Sequence, residues 1–389
     1  MQKILLFIAS LFYFNFLFSK NEIKSWQGIH ETPLSRLEQQ FAEPPVEFAN
    51  HVIWGWEGKM DKKTICNDLD SIKKKGFRAV IFEAGYKLPF KYLSEEWFKA
   101  IRTGVVEAKK RDMKVWIIDE GKYPSGFAGG KFSQERPDLR MQALVIGDTI
   151  QIKRGEVMTN HKIAPEIISA VAVSTSGAPN RTVEINNGKI SFNAGLDDWK
   201  ILLVKSDFRT AVTRAVNNPN GGKDATNSLC DYLNPVAVQQ FIDWTHKQYK
   251  KYLGKELGTT VLGFRGDEPD YAHLPWTPSI VQTFKDTKGY DPTPYLASFF
   301  TASPTIQEQR VKADYWDVWS SLFATHFFKL QADWCAANGV AHITHLNKEH
   351  EMPACVKAEG DYFRALSKVQ IPGVDAIWNQ IWPSTLNDL

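Results

Sequence analysis

The side chains best suited to chemistry follow short apolar runs along the chain. The ends of those runs carry Trp54 and Trp56, then Glu83, then Asp119 and Glu120, then Asp267 and Glu268. His345, Asn347 and Glu349 follow, then Asp375 and Asn379. Carboxylates, amides and aromatics in that order suit the cleavage of a bond between sugars. That reaction needs two carboxyl groups, one giving a proton to the leaving oxygen and one acting on water as base or on carbon as nucleophile. Glu268 is the candidate acid, since Gly266-Asp-Glu-Pro269 closes a run abruptly. Its carboxyl must be partly buried, or face another carboxylate, to stay protonated near neutrality. Glu349 is the candidate partner, with Glu351 and Glu359 as competitors. His345 could orient that partner or bind a sugar hydroxyl, and Asp119 and Glu120 could bind hydroxyls or a cation. Trp54, Trp56, Glu83, Tyr123, Asp267, Asn347, Asp375 and Asn379 complete the candidate substrate contacts.

Competing chemistries lack their residues. The glycine-rich Tyr123-Pro-Ser-Gly-Phe-Ala-Gly-Gly130 has no Gly-Lys-Ser/Thr to cradle phosphate. There is no serine elbow and no His-Glu-x-x-His, and the four cysteines form no Cys-x-x-Cys pair.

Parallel strands joined by helices would position the candidates. His51–Trp56, Ala79–Phe82 and Lys114–Ile118 read as buried strands. Between them run helices capped by Asp61 and Ser94. Val261–Phe264, Ala341–Thr344 and a run near Val374–Ile377 continue the series after the helix opened by Asn234-Pro235 and a long one over 306–338. The expected fold is α/β, a (β/α)8 TIM-type barrel, whose active site lies at the C-terminal strand ends. About six of the eight strands are in evidence, so the barrel is expected to be incomplete and the chain a truncated one. An open sheet with its site at a topological switch point is the alternative. Residues 141–206 break the rhythm with short alternating strands and turns such as Asn187-Gly188, an inserted β subdomain after the third strand. The organisation expected is a signal peptide at 1–19, a lead-in at 20–48, the first part of the barrel at 49–140, the insertion, and barrel again over 207–389.

The remaining signals concern setting and partner. A net charge of +3, from 47 basic and 44 acidic residues, offers nucleic acid no basic surface. The 13 Trp, 12 Tyr and 24 Phe suit the flat C–H faces of sugars as well as a core. Lys3 followed by the apolar run Ile4–Phe18 resembles a secretory signal, too short for a span. Export to the periplasm, the cell surface or the medium is expected, with no stable membrane span after cleavage and a carbohydrate as partner.

Ordered matches over about 40–385 resemble glycoside hydrolase family 106, the α-L-rhamnosidases and their relatives. They run from Phe41-Ala-Glu-Pro-Pro-Val-Glu47, Trp54-Gly-Trp56, Gly76-Phe77 and the Tyr123-Pro-Ser-Gly loop to Asp231-Tyr-Leu-Asn-Pro235 and Gly266-Asp-Glu-Pro269. Gly289-Tyr-Asp291, His345-Leu-Asn-Lys-Glu349, Gly360-Asp361 and Ile371-Pro-Gly-Val-Asp375 follow. The resemblance implies an exported catalytic barrel acting on α-L-rhamnosides, an acid/base carboxylate pair working with inversion at Glu268 and Glu349, and calcium at the active site. It also implies a longer protein than these 389 residues. A retaining glycosidase of another sugar and a non-catalytic glycan-binding or truncated pseudoenzyme are the alternatives.

Overall fold

The computed structural model describes residues 33–375, apart from 122, 215–222, 225 and 272–273. The proposed signal peptide, Asn379 and the far end of the proposed sixth strand lie outside the described residues.

Six parallel strands form one sheet in the order of the sequence: β1 (His51–Trp56), β2 (Ala79–Ala84), β3 (Lys114–Ile118), β4 (Val261–Asp267), β5 (Ala341–His345) and β6 (Ile371–Pro372). This order never reverses, so the sheet has no topological switch point of the doubly wound kind. Each strand follows its predecessor as in a barrel, but β1 and β6 do not pair with each other, so the six expected strands form an open sheet among the described residues. The sixth strand falls at Ile371–Pro372, earlier than the run at Val374, because its register is set by Ile343 and Thr344 on β5.

The helices form where caps and apolar stripes predict them. The Asp61 carboxylate accepts from the Thr64 N–H (2.9 Å) at the start of α1 (Lys62–Lys74), and the Ser94 hydroxyl accepts from Trp97 (3.3 Å) at the start of α2 (Glu95–Lys110). α1 leads into β2 and α2 into β3, while α3 (Pro235–Trp244) and α4 (His246–Leu253) lead into β4. The predicted long helix is three pieces in line: α5 (Ile306–Leu322), opened by a Thr305–Glu308 capping box, a π-helical turn at Phe323–Phe328, and α6 (Lys329–Ala337).

The two sheet faces differ. One packs Trp56, Phe82, Ile117 and Phe264 against Trp97, Ile101 and Tyr249 of the helices. The other carries Ile81, Trp116, Ile118, Leu262 and Ala341, a cluster made of strand residues alone. This inner face lines a cavity of about 430 Å³ with Arg265, Ile343 and Ile371 on its wall. Close approach of β4 to β5 depends on Gly263, where a Cβ would stand 2.0 Å from the Ala341 carbonyl oxygen.

Between β3 and β4 the chain builds an antiparallel sheet ordered Pro275–Trp276, Gln142–Ile152, Trp199–Phe208, Ile167–Ser174, Arg181–Thr182. A separate antiparallel pair, Val157–Lys162 with Lys189–Asn193, packs against that sheet. Its edge strand Pro275–Trp276 comes from beyond β4, which ties this sheet to the exit of the candidate site.

Candidate active site

The site is built at the C-terminal ends of β4, β5 and β6. Strand residues alternate between faces, so Arg265 and Asp267 share the inner face of β4, and Ile343 and His345 that of β5, with Asp267 paired to His345. His345 Nε2 lies 3.4 Å from Asp267 Oδ1, 3.9 Å from Glu268 Oε1 and 3.9 Å from Asp375 Oδ2. Glu349 reaches back across the β5 exit: its Oε1 accepts the Leu346 N–H and its Oε2 the Asp375 N–H, both at 2.9 Å. Tyr123 and Asn347 join from the side. The Tyr123 hydroxyl and the Asn347 amide both donate to Asp270 Oδ2, at 3.2 and 3.1 Å, and the Asn347 N–H donates to Glu359 Oε1 at 2.8 Å.

Burial and crowding set the protonation states. Burial, then the charges of Asp267, Asp375, Glu349 and Asp270, push the Glu268 carboxyl up to about 7. Its backbone sits at φ +38°, a strained conformation for a residue with a side chain and one that clusters at functional sites. His345 is driven the other way, to about 4, by burial and the neighbouring Arg265 guanidinium, with Asp375 opposing. It is therefore neutral at ordinary pH. Arg265 has only donors and lies 3.3 Å from Nδ1, so Nδ1 accepts and the ring proton sits on Nε2, facing the carboxylates. Burial also raises Glu349 and holds Glu359 well above the usual range.

Several candidates take other roles. Trp56 is wholly buried in the helix-side core against Trp97 and Phe82, and Trp54 packs on Trp56 and Phe82 on that same face. Both indoles thus lie on the face opposite Arg265, away from the carboxylate cluster. Apolar runs with both faces buried do not reveal which face looks inward. Asp119 and Glu120 are also interior, 0% and 1% exposed, rather than sugar-facing. The Ser125 hydroxyl donates to Asp119 Oδ1 (2.7 Å) while accepting the Asp267 N–H (2.7 Å), which ties the Tyr123–Gly130 loop to the end of β4. Glu120 accepts from the N–H groups of Gly121, Ala128 and Gly129 and so pins that loop. The loop needs Gly126, at φ +94°, because a Cβ there would stand 2.4 Å from the Tyr232 ring. Glu83 is the penultimate residue of β2, two strands from β4, with an oxygen 3.6 Å from where a Gly55 Cβ would be.

Arg265 and Asp270 were not among the sequence candidates. Arg265 had a signal, since it stands two residues before Asp267 and so shares its face. Asp270, just past Pro269, had none.

Glu268, His345 and Asp375 each offer a ligand atom, and these atoms lie within 4.8 Å of one another. Calcium takes six to eight oxygens. The two carboxylates suit it in kind, but the imidazole nitrogen does not, and its proton points into the cluster. The trio does not fit calcium.

The buried acids make stability depend on pH. Burial pushes Asp119 and Asp231 to about 7 and Glu120 to about 8. Above pH about 6.5 the unfolded chain holds these carboxyls ionised and its histidines neutral. The folded chain still binds their protons until pH passes 7 to 8, so stability falls as pH rises through that window. The buried His246 and His342, lowered by burial, act only below it. The melting temperature is expected to drop from pH 6.5 to 8.5, and less so in Asp119→Asn. A flat or rising profile by calorimetry would contradict this burial.

Parallel strands that end in a nest of carboxylates, one of them held protonated near neutrality, offer the paired carboxyl groups that cleavage of a glycosidic bond requires. A sequence profile described as alpha-L-rhamnosidase matches residues 160–385, more than half of the chain, which therefore belongs to glycoside hydrolase family 106. A protein of Formosa agariphila provisionally named a beta-glucuronidase is 23% identical over 360 residues, which cover 79% of this chain and 30% of that protein. The solved rhamnosidase of Novosphingobium sp. PP1Y superposes with a TM-score of 0.62 at 14% identity, covering 87% of this chain and 49% of that one. The chain spans less than half the length of each. No helix of the described residues is long and apolar enough to cross a membrane.

Proposed function

We propose that this chain carries the cleavage site of an exported glycosidase acting on α-L-rhamnosides, its parallel sheet forming the first strands of a (β/α) barrel. The observation that carries the reading is the half-buried Glu268 carboxyl at the end of β4, clustered with His345 and Asp375 within 4.8 Å and pushed up to about 7 by burial and the charges of Asp267, Asp375 and Glu349. In the reaction the Glu268 proton passes to the glycosidic oxygen as its bond to C1 breaks. A water attacks C1 from the opposite face and gives its proton to Glu349, so the anomeric configuration inverts. Solvent then restores both carboxyls. Asp267, Asp270, Asn347 and Asp375 are placed to accept from or donate to sugar hydroxyls, and His345, through its Nε2–H, screens the carboxylates from one another.

The test is hydrolysis of a panel of aryl glycosides by the purified chain, with the configuration of the first-formed sugar read by NMR. Release from the α-L-rhamnoside with inversion is expected. A folded sample that binds glycan and cleaves no member of the panel would replace this reading with the binding-only one.

A further inference from the structure

A groove of about 1070 Å³ opens beside the carboxylate cluster. It shares Asp270 with the Tyr123–Asn347 network, and its Lys348 stands between Asn347 and Glu349 in the chain. Its floor is apolar, with the half-buried Trp316 of α5 facing Met352 and Val356 of α7 (Met352–Glu359). Its rim is basic, since Lys312, Lys348 and Lys357 are all exposed and all line it.

None of these three ammonium groups has a carboxylate within ion-pair distance among the described residues, and Lys312 instead lies over the Trp316 ring at 5.8 Å. Some lysines elsewhere on the surface are paired, among them Lys59, Lys99, Lys109, Lys285, Lys288 and Lys329. The one carboxylate in the groove, Asp270, already accepts from Tyr123 and Asn347. Lys348 is held at φ +62°, a conformation uncommon for lysine, on the turn that presents Asn347 and Glu349. An aromatic platform ringed by uncompensated cations matches a pyranose ring that bears a negative charge. Its C–H face stacks on the indole, and its anionic group meets the ammonium groups.

We infer that this groove holds the sugar on the leaving-group side of the scissile bond, and that this sugar is anionic, bearing a uronate carboxylate or a sulfate ester. The inference rests on the proposed glycosidase reading. It makes the protein selective for rhamnose that caps an acidic glycan.

The test compares binding of rhamnose-capped oligosaccharides whose second unit is a uronate, its carboxyl-reduced counterpart, or a sulfated sugar, measured calorimetrically with the full chain carrying Glu268→Gln so that none is cleaved. At low salt the anionic forms are expected to bind about tenfold tighter than the neutral one, the sum of a few exposed charge contacts. The better of the two identifies the acidic group. That advantage should vanish in high salt and in Lys312→Gln/Lys357→Gln, and reverse in Lys312→Glu/Lys357→Glu; these exposed positions tolerate either change. Equal affinity for charged and neutral forms, a preference that survives both double variants, or binding of none of the three overturns the inference. Aryl rhamnoside hydrolysis by the unsubstituted chain, read in parallel, separates this failure from that of the glycosidase reading: turnover without charge preference sinks the groove alone.

Discussion

Glu268→Gln is expected to lower kcat/KM on a natural glycan by about 10²–10⁴-fold while leaving the affinity for substrate nearly unchanged. The amide keeps the shape of the side chain but has no acidic proton to give. The size of the loss should depend on the leaving group. A dinitrophenyl glycoside departs without protonation, so the same variant should cleave it with a much smaller defect, and that contrast is what assigns Glu268 as acid. The pH profile gives a second readout. An acid must be protonated to act, and Glu268 is pushed up to about 7. Wild-type activity should therefore fall as pH rises through about 7, and that alkaline limb should disappear from the dinitrophenyl reaction of the variant. A carboxyl at its ordinary value would already be ionised at pH 6 and would put the limb two units lower. Equal losses on both leaving groups, or an unchanged alkaline limb, would move the acid to another residue.

Much of this arrangement can be read from the sequence, and the parts that cannot are those set by packing. The apolar runs at His51–Trp56, Ala79–Ala84 and Lys114–Ile118 announce parallel strands, buried in β2 and β3 but not at the edge strand β1, where His51, Ile53 and Gly55 are exposed, and the capping residues Asp61, Ser94 and Thr305 mark their helices within a residue. Reading the strand ends gathers Asp267, Glu268, His345, Glu349 and Asp375, which the fold does bring together. The tryptophans mislead because β1 alternates His51, Ile53 and Gly55 with Val52, Trp54 and Trp56. Both sets are compatible with a strand, and only the helices behind the sheet decide that the indoles face them. Asp119 and Glu120 mislead for a related reason. A carboxylate at a strand end looks available, but three N–H groups of the glycine-rich loop converge on Glu120 and close it off. Closure of the barrel depends on strands that six cannot supply.

The second large effect is expected at Glu349, where two roles must be separated. Its carboxylate braces the site, taking the N–H of Leu346 with one oxygen and that of Asp375 with the other. Each oxygen keeps a second lone pair, so the brace leaves the carboxylate able to receive a proton from water. Glu349→Ala is expected to reduce turnover by about 10²–10⁴-fold through loss of the base. It also frees two N–H groups, so the loss by itself would not distinguish base from brace. Added azide does. Azide is a nucleophile with no proton to lose, so it attacks C1 from the water side without a base while Glu268 still protonates the departing oxygen. The variant should regain turnover in azide and release a glycosyl azide of inverted configuration, which in the case of an α-L-rhamnoside is the β-azide. Glutamine is the poorer variant for this test, because its NH₂ would meet one of the two backbone N–H groups donor to donor. If azide restores nothing while the variant melts like wild type, Glu349 only braces the site. The base is then Asp375, whose backbone Glu349 holds and whose carboxylate lies 3.9 Å from His345, and Asp375→Ala should be the variant that azide rescues.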